Sequence, residues 1–166
     1  MPHSIAICGS NTVDSSRKQE ILLNAECCGR LIAKNSCLLV CGGHGGVMQA
    51  ACRGASEEGG ISIGILPEDT KDYANPYVSY LLPTGLGVRR NTLIVDSADV
   101  VIAICGGWGT LNEISYACNT GKTVILLKGT EGIVDHLITS DFPLPKDHLL
   151  VARSAKEAVE LALKRL

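Results

Sequence analysis

The chain has 166 residues, 46% of them hydrophobic, which is enough for one domain with its own core and too little for two ordinary domains. We therefore expect residues 1–166 to form a single domain. The net charge of -2 and the isoelectric point of about 6.1 argue against nucleic acid or a membrane surface as a partner. No signal-peptide pattern begins the chain, and its apolar runs are far shorter than the roughly 20 residues of a membrane span. These features predict a cytoplasmic protein.

Eight cysteines are distributed along the chain without a C-x-x-C pair and without the Cys/His spacing of a zinc site. Most of them end apolar runs or lie in segments with helical periodicity. We interpret them as reduced, mostly buried thiols and predict no metal site.

The chain alternates between short apolar runs and longer amphipathic stretches, beginning with a run at 4–8. Seven runs have the length of buried strands, and the fourth of them is the weakest. In chain order they are SIAIC (4–8), CLLVC (37–41), ISIGIL (61–66), VSYLL (78–82), VVIAIC (100–105), TVILL (123–127) and HLLVA (148–152). Helical periodicity is found at about 16–35, 45–58, 88–97, 110–120, 132–139 and 154–165.

This alternation is typical of a parallel sheet that is covered by helices on both faces. The sequence therefore predicts an α/β fold with a mainly parallel central sheet of six or seven strands. We expect SIAIC to lie between CLLVC and VVIAIC. Ser154 is the expected N-cap of the last helix.

Glycine-rich loops follow three of the predicted strands. Their sequences are ICGSN (7–11), VCGGHGG (40–46) and ICGGWGT (104–110). In open α/β sheets, ligands bind beyond the carboxyl ends of the strands, and the N–H groups that begin each helix attract anions. Any single loop is explained by the preference of βα turns for glycine, whereas three loops on one sheet edge favour a phosphate-bearing ligand.

The glycine spacing argues against a dinucleotide or a triphosphate. No loop has a complete G-x-G-x-x-G pattern, and the second strand ends in Cys41 and Gly42 rather than in an acidic residue. The Gly-Lys-Thr at 121–123 leads into a strand, so it is not a Walker loop. A mononucleotide or another ligand with one phosphate fits better.

Glu113 and the arginine pair at 89–90 each have two interpretations. Thr110 and Glu113 have the spacing of a capping box, which would explain both residues by helix initiation alone. Arg89 and Arg90 lie near a predicted helix start, where the helix dipole disfavours cations unless they face an anion. The alternative is an exposed pair, or one arginine paired with Asp96 or Asp99.

CGGWGTLNE (105–113) resembles the P-G-G-x-G-T-x-x-E signature of the LOG-type nucleoside 5'-monophosphate phosphoribohydrolases, with Cys105 in place of proline. Arg90 precedes Cys105 by fifteen residues, the family's spacing, and ICGSN and GGHGGVMQAA are similar to the family's other two loops. The phrases GILPEDTKDYANPYV and PTGLGVRRN are closest to the branch of molybdenum-cofactor carrier proteins. The family's Arg-Lys pair is replaced here by Arg90-Asn91.

The resemblance implies a Rossmann-like domain with Arg90 and Glu113 as catalytic residues, and hydrolysis that needs no cofactor. It places the ligand phosphate at the third glycine loop, which precedes the helix predicted at 110–120, and the other two glycine loops complete the pocket. The expected ligand-binding residues are Gly9, Ser10, Asn11, Gly42, Gly43, Gly45, Gly106, Gly107, Gly109 and Thr110.

Three functions follow from this interpretation. The first is hydrolysis of a nucleoside 5'-monophosphate to free base and ribose 5-phosphate. The second is a carrier that holds molybdenum cofactor as cargo, and the third is a nucleotide-sensing subunit. We also expect a homodimer or a homotetramer.

Further expectations concern individual side chains near the site. Trp108 can stack on a base or pack against a helix or a partner chain, and His44 can contact the ligand or have only a structural role. Cys8, Cys41 and Cys105 end neighbouring predicted strands, about 4.8 Å apart, so they are expected to form a row of thiols beneath the ligand site.

Overall fold

The computed structural model describes residues 2–145 and 147–166. Within these residues, strands and helices alternate along the chain. The strands are β1 (Ser4–Gly9), β2 (Leu38–Cys41), β3 (Ser62–Leu66), β4 (Tyr80–Pro83), β5 (Val100–Ile104), β6 (Val124–Leu127) and β7 (Leu149–Ala152). The α-helices are α1 (Lys18–Lys34), α2 (Gly46–Glu57), α3 (Arg90–Asp96), α4 (Trp108–Asn119), α5 (Gly132–Thr139) and α6 (Ala155–Leu163), and a 3-10 turn (Gly87–Arg89) precedes α3.

All seven strands form one parallel sheet in the order β4-β3-β2-β1-β5-β6-β7. Ala6 in β1 is level with Val40 in β2 on one side and with Val101 in β5 on the other. The expected α/β, Rossmann-like fold and the central position of SIAIC are therefore confirmed. The strand order reverses between β1 and β5, so the loops after these two strands border the crevice in which such sheets bind ligands.

Both faces of the sheet are buried, which explains why its central strands are almost entirely apolar. Helices α1, α2 and α6 pack on the face that carries Ile5 and Ile7 of β1. Helices α3, α4 and α5 cover the opposite face, which carries Ala6 and Cys8. Every residue of β5 is buried, as expected for a strand with helices above and below it.

The predicted elements differ from the observed ones by at most two residues at either end. Ser154 caps α6 as expected, because its Oγ accepts a hydrogen bond of 3.2 Å from the N–H of Glu157. The largest consequence of a boundary difference is at α4, which begins at Trp108 rather than at Thr110. None of the helices in the described part of the chain has both the length and the apolar character needed to cross a membrane.

Two glycines allow α1 and α2 to pack at close range. A Cβ on Gly29 of α1 would lie 1.9 Å from the carbonyl oxygen of Ala51, and a Cβ on Gly54 of α2 would lie 2.0 Å from that of Glu26. Both obstacles are backbone atoms, so one helix would have to move to accept a methyl group.

We predict that Gly54→Ala lowers the free energy of unfolding by about 1–3 kcal/mol because it separates the two helices. Gly109→Ala is the matched control, since Gly109 lies in α4 and a Cβ there would have no atom within 4 Å; it should stabilise the protein by up to about 1 kcal/mol. Urea denaturation of both variants checks this. Equal stability of Gly54→Ala and the wild type would show that the helices are not held at this distance.

Candidate functional site

A cavity of about 300 Å³ opens at the carboxyl ends of β1 and β5. We call it the main cavity. Its lining residues come from the end of β1, from the loops after β1, β2 and β5, and from the first two turns of α2, α3 and α4. They are Gly9, Ser10, Asn11, Thr12, His44, Met48, Arg90, Asn91, Gly107, Gly109, Thr110 and Glu113. Both predicted catalytic residues thus line this cavity, as do all the predicted ligand-binding residues except Gly42, Gly43, Gly45 and Gly106.

The β1 loop is fixed against the start of α2. The N–H of Val47 donates to the carbonyl oxygen of Ser10 at 3.0 Å, and the N–H of Gly45 donates to Oδ1 of Asn11 at 2.8 Å. Gly9 is required by space, because a Cβ there would lie 2.5 Å from the carbonyl oxygen of Ile104. Ser10 and Asn11 are therefore held at the cavity wall by hydrogen bonds from backbone N–H groups at the start of α2.

The three predicted glycines of the β2 loop shape the site without lining it. Gly43 has a φ of +76°, and its carbonyl oxygen accepts hydrogen bonds from the backbone and the side chain of Asn75 at 2.8 and 3.1 Å. Gly45 holds Asn11, and Gly42 leaves room for the side chain of Arg90. His44 is the residue of this loop that lines the cavity, and its Nε2 lies 3.0 Å from Oε2 of Glu68.

Arg90 places a buried cation at the floor of the cavity. It begins α3, is 9% exposed, and lies over Gly42, where a Cβ would be 2.3 Å from Nη1 of the arginine. Its Nε and Nη1 are buried and have no hydrogen-bond partner among the described residues. The nearest carboxylate oxygen, Oε1 of Glu113, is 4.0 Å from Nη1, which is too long for a hydrogen bond. A buried guanidinium with unused donors favours an anionic ligand.

Glu113 lies in α4 and is 6% exposed. Burial raises the pKa of its carboxyl group to about 7, against the lowering effects of the Arg90 cation and of a hydrogen bond with the Cys8 thiol. Near neutral pH the cavity therefore contains one permanent cation and one carboxyl group that is about half ionised.

The loop between β5 and α4 contains two glycines that the protein's own packing does not require. Gly107 is the residue before α4, Gly109 lies in its first turn, and a Cβ on either would meet nothing within 4 Å. Glycine in a helix costs about 1 kcal/mol relative to alanine. The bare backbone at this helix N-terminus leaves room for a ligand to approach its N–H groups closely.

Residues outside the CGGWGTLNE motif hold this loop in place, and no local sequence pattern indicates them. Oγ1 of Thr130 accepts a hydrogen bond of 2.8 Å from the N–H of Cys105, whose φ is +58°. The carbonyl oxygen of Gly106 accepts a hydrogen bond of 2.8 Å from the N–H of Ile133. A Cβ on Gly132 would lie 2.4 Å from the same oxygen. The start of α5 therefore fixes the path of the loop, while Gly106 packs against Thr110 and stays outside the cavity lining.

The capping-box interpretation of Thr110 and Glu113 is wrong. Because α4 begins at Trp108 and Gly107 occupies its N-cap, Glu113 lies in the second turn of the helix, where its side chain faces the cavity. Of the arginine pair, only Arg90 reaches the cavity, and Arg89 is exposed.

The predicted row of three thiols is also wrong. Cys8 is level with Ala103 and belongs to the core on one face of the sheet, whereas Cys41 and Cys105 belong to the core on the other face. Cys41 instead contacts Cys52, with 3.5 Å between the sulfur atoms. Within the described residues, no group of three or more His, Cys, Asp or Glu side chains is arranged to hold a metal ion.

Trp108 and Met48 both lie near the site, but Trp108 is exposed and Met48 is buried. Trp108 is 87% exposed and does not line the main cavity, so it does not pack under a helix of this chain. Met48 is 5% exposed, as expected for a core residue, and also touches the cavity.

The sequence model of the SLOG cluster4 family matches residues 2–159. The chain belongs to this family. A curated relative, the cytokinin riboside 5'-monophosphate phosphoribohydrolase of Rhodococcoides fascians, is 28% identical over 155 residues, which cover 81% of this chain and 77% of that protein. An uncharacterized protein of Archaeoglobus fulgidus is 43% identical over 100 residues, 60% of this chain and 66% of the relative.

Solved structures of other proteins resemble the whole chain. The molybdenum cofactor binding protein from the phototrophic bacterium Rippkaea orientalis is 34% identical, with a TM-score of 0.86 and coverage of 99% of this chain and 97% of that one. The Moco carrier protein from Chlamydomonas reinhardtii is 31% identical, with a TM-score of 0.85 and the same coverage. The resemblance to the LOG-like superfamily, and within it to the molybdenum-cofactor carrier branch, is thereby confirmed.

We predict that the main cavity binds sulfate about tenfold more weakly at about pH 8 than at about pH 6, because Glu113 ionises between these values and repels an anion. Sulfate is a suitable probe since it does not titrate in this range. Glu113→Gln should bind sulfate with the low-pH affinity throughout. Isothermal titration calorimetry checks both proteins.

His44 also lines the main cavity. His44→Gln separates its contribution from that of Glu113. A pH dependence that survives in Glu113→Gln and vanishes in His44→Gln would contradict the role given to Glu113.

Proposed function

We propose that this protein binds a phosphorylated ligand with a heterocyclic ring in the main cavity and carries it without cleavage, with molybdenum cofactor as the leading cargo. The observation that carries the binding proposal is the bare N-terminus of α4, where Gly107 and Gly109 leave the backbone N–H groups open. An anion at this position gains hydrogen bonds and a favourable interaction with the helix dipole.

Arg90 supports the same proposal from the floor of the cavity. Two of its nitrogen atoms are buried without a hydrogen-bond partner among the described residues. The guanidinium charge is therefore not neutralised by a hydrogen-bonded carboxylate of the described part of the chain, and an anionic group in the cavity would offset it. The residues present therefore fit a phosphate group at one end of the ligand.

Carriage rather than hydrolysis is supported by the relatives. Burial raises the pKa of Glu113 to about 7, and a carboxyl group in this range can donate a hydrogen bond to a bound ligand or act as a general acid in cleavage. Glu113 therefore fits both functions. Relatives named as molybdenum-cofactor binding or carrier proteins match 99% of this chain.

Hydrolysis of a nucleoside 5'-monophosphate is the second candidate function, and one observation favours it. Arg90 and Glu113, the pair implied as catalytic by the resemblance, lie 4.0 Å apart in the same cavity. In that reaction Glu113 would stabilise the developing positive charge and orient water, and Arg90 would position the ligand. The exchange of the family's lysine for Asn91 and of its proline for Cys105 removes two features of the signature. Assembly as a homodimer or homotetramer and a cytoplasmic location stay predictions.

We predict that Gly109→Ala weakens binding of a nucleoside 5'-monophosphate by about tenfold or more while thermal stability is kept or increased. The added methyl group occupies ligand space but meets no atom of the protein within 4 Å, and alanine favours the helix by about 1 kcal/mol. Calorimetric titration and thermal melting measure the two effects. Unchanged affinity in the folded variant would contradict binding at the start of α4.

A second experiment separates carriage from hydrolysis. Protein purified from cells that make molybdenum cofactor should retain molybdenum and an oxidisable, fluorescent pterin, and Gly109→Ala should retain neither. A panel of nucleoside 5'-monophosphates should yield no free base above the background of the Glu113→Gln variant. Release of base that depends on Glu113 would overturn the carrier proposal in favour of the hydrolase.

A further inference from the structure

A second cavity of about 300 Å³ adjoins the main cavity between α1 and α2. We call it the side cavity. Asn11 and Thr12 line both cavities, so the two cavities lie side by side across these residues. In a nucleotide-like ligand the heterocycle is the group farthest from the phosphate. The side cavity is therefore a neighbouring space into which the ring can extend.

The walls of the side cavity suit a planar ring. Val13, Leu22 and Ala50 supply apolar surface on both of the flanking helices and on the β1 loop. Heterocycle sites commonly combine such walls with a few polar groups that fix orientation.

The polar groups of the side cavity are mostly hydrogen-bond donors. Lys18 and Arg53 line it, and no carboxylate does so among the described residues. Asn11 uses its Oδ1 to accept from the N–H of Gly45, which leaves its amide nitrogen as a donor. Gln49 is the one lining side chain with both a free carbonyl oxygen and an amide nitrogen to offer.

Arg53 is held in position by the helix that faces it. Its Nη2 donates to Oε2 of Glu26 in α1, and Glu26 also accepts from Arg30. This contact holds the guanidinium at the cavity wall and leaves Nη1 as its free donor, because Nη2 is hydrogen-bonded to Glu26 and Nε is buried. A donor of this kind recognises a ring carbonyl oxygen, such as the O6 atom of guanine. Adenine presents an amino group at the same edge and would place donor against donor.

We infer that the side cavity recognises a keto-substituted heterocycle, the edge that guanine, hypoxanthine and pterins share, and rejects the amino-substituted edge of adenine. Arg53 and Lys18 are the specificity-determining residues, with Gln49 contacting the rest of the ring edge. The inference rests on the proposed function, because the phosphate bound at α4 sets which group reaches the side cavity.

The test compares the affinities of GMP, IMP and AMP by calorimetry. GMP and IMP should each bind about tenfold more tightly than AMP, because a charged donor meets an acceptor at O6 but meets another donor at the amino group of adenine. Because IMP lacks the 2-amino group, its similarity to GMP would assign the preference to the carbonyl group. Equal affinities of all three nucleotides would overturn the inference.

A matched pair of arginine variants locates the preference. Arg53→Met and Arg30→Met each remove one partner of Glu26, but only Arg53 lines the side cavity. Arg53→Met should reduce the preference for GMP over AMP to less than about threefold, while Arg30→Met should keep it. A preference that persists in Arg53→Met, or is lost equally in Arg30→Met, would overturn the assignment.

Sulfate binding distinguishes failure of this inference from failure of the proposed function. Sulfate binding that is lost in Gly109→Ala reports on the main cavity, and this binding should be equally strong in the wild type and in Arg53→Met. Wild-type protein that binds sulfate but shows no keto preference contradicts the side-cavity assignment alone. Protein that binds neither sulfate nor any nucleotide contradicts the proposed function as well.

Discussion

The parallel pairing of β1 with β5 is the constraint on which the rest of the site depends. The strand order reverses there, so the loops after the two strands diverge to opposite faces of the sheet and leave a crevice between them. Helices α2 and α3 add Met48 and Arg90 to that crevice, and α4 supplies its own N-terminus. The strand order of the sheet thus determines where the Arg90 cation and the N-terminal N–H groups of α4 come together.

Within the crevice, burial and charge act together on a few groups. Arg90 is kept in a space that only glycine at position 42 leaves open, and it has donors that the described residues do not satisfy. Glu113 is buried close to it without a direct hydrogen bond. The charges of Arg90 and Glu113 offset each other incompletely, so the cavity retains the capacity to bind an anion. This capacity is common to the carrier and the hydrolase, and the release of free base is the property that separates them.

The sequence predicted the fold well because its signals were local and repeated. Apolar runs of strand length, amphipathic helices between them and glycines at strand ends are readable without tertiary information. The features that it missed depend on contacts or register. Glu113 has capping-box spacing, yet the helix begins at Trp108, two residues before the expected position. Cys8 and Cys41 follow identical patterns, yet their strands pair so that the two side chains face opposite sides of the sheet. Thr130 holds the motif loop from twenty-five residues away, and nothing in the local pattern signals it.

The most direct test of the central claim is a crystal structure of the protein with a bound nucleoside 5'-monophosphate. The account predicts that the phosphate oxygens lie within hydrogen-bond distance of the N–H groups of Gly109 and Thr110, with the ligand filling the main cavity. A phosphate bound elsewhere, with the start of α4 left free, would contradict it.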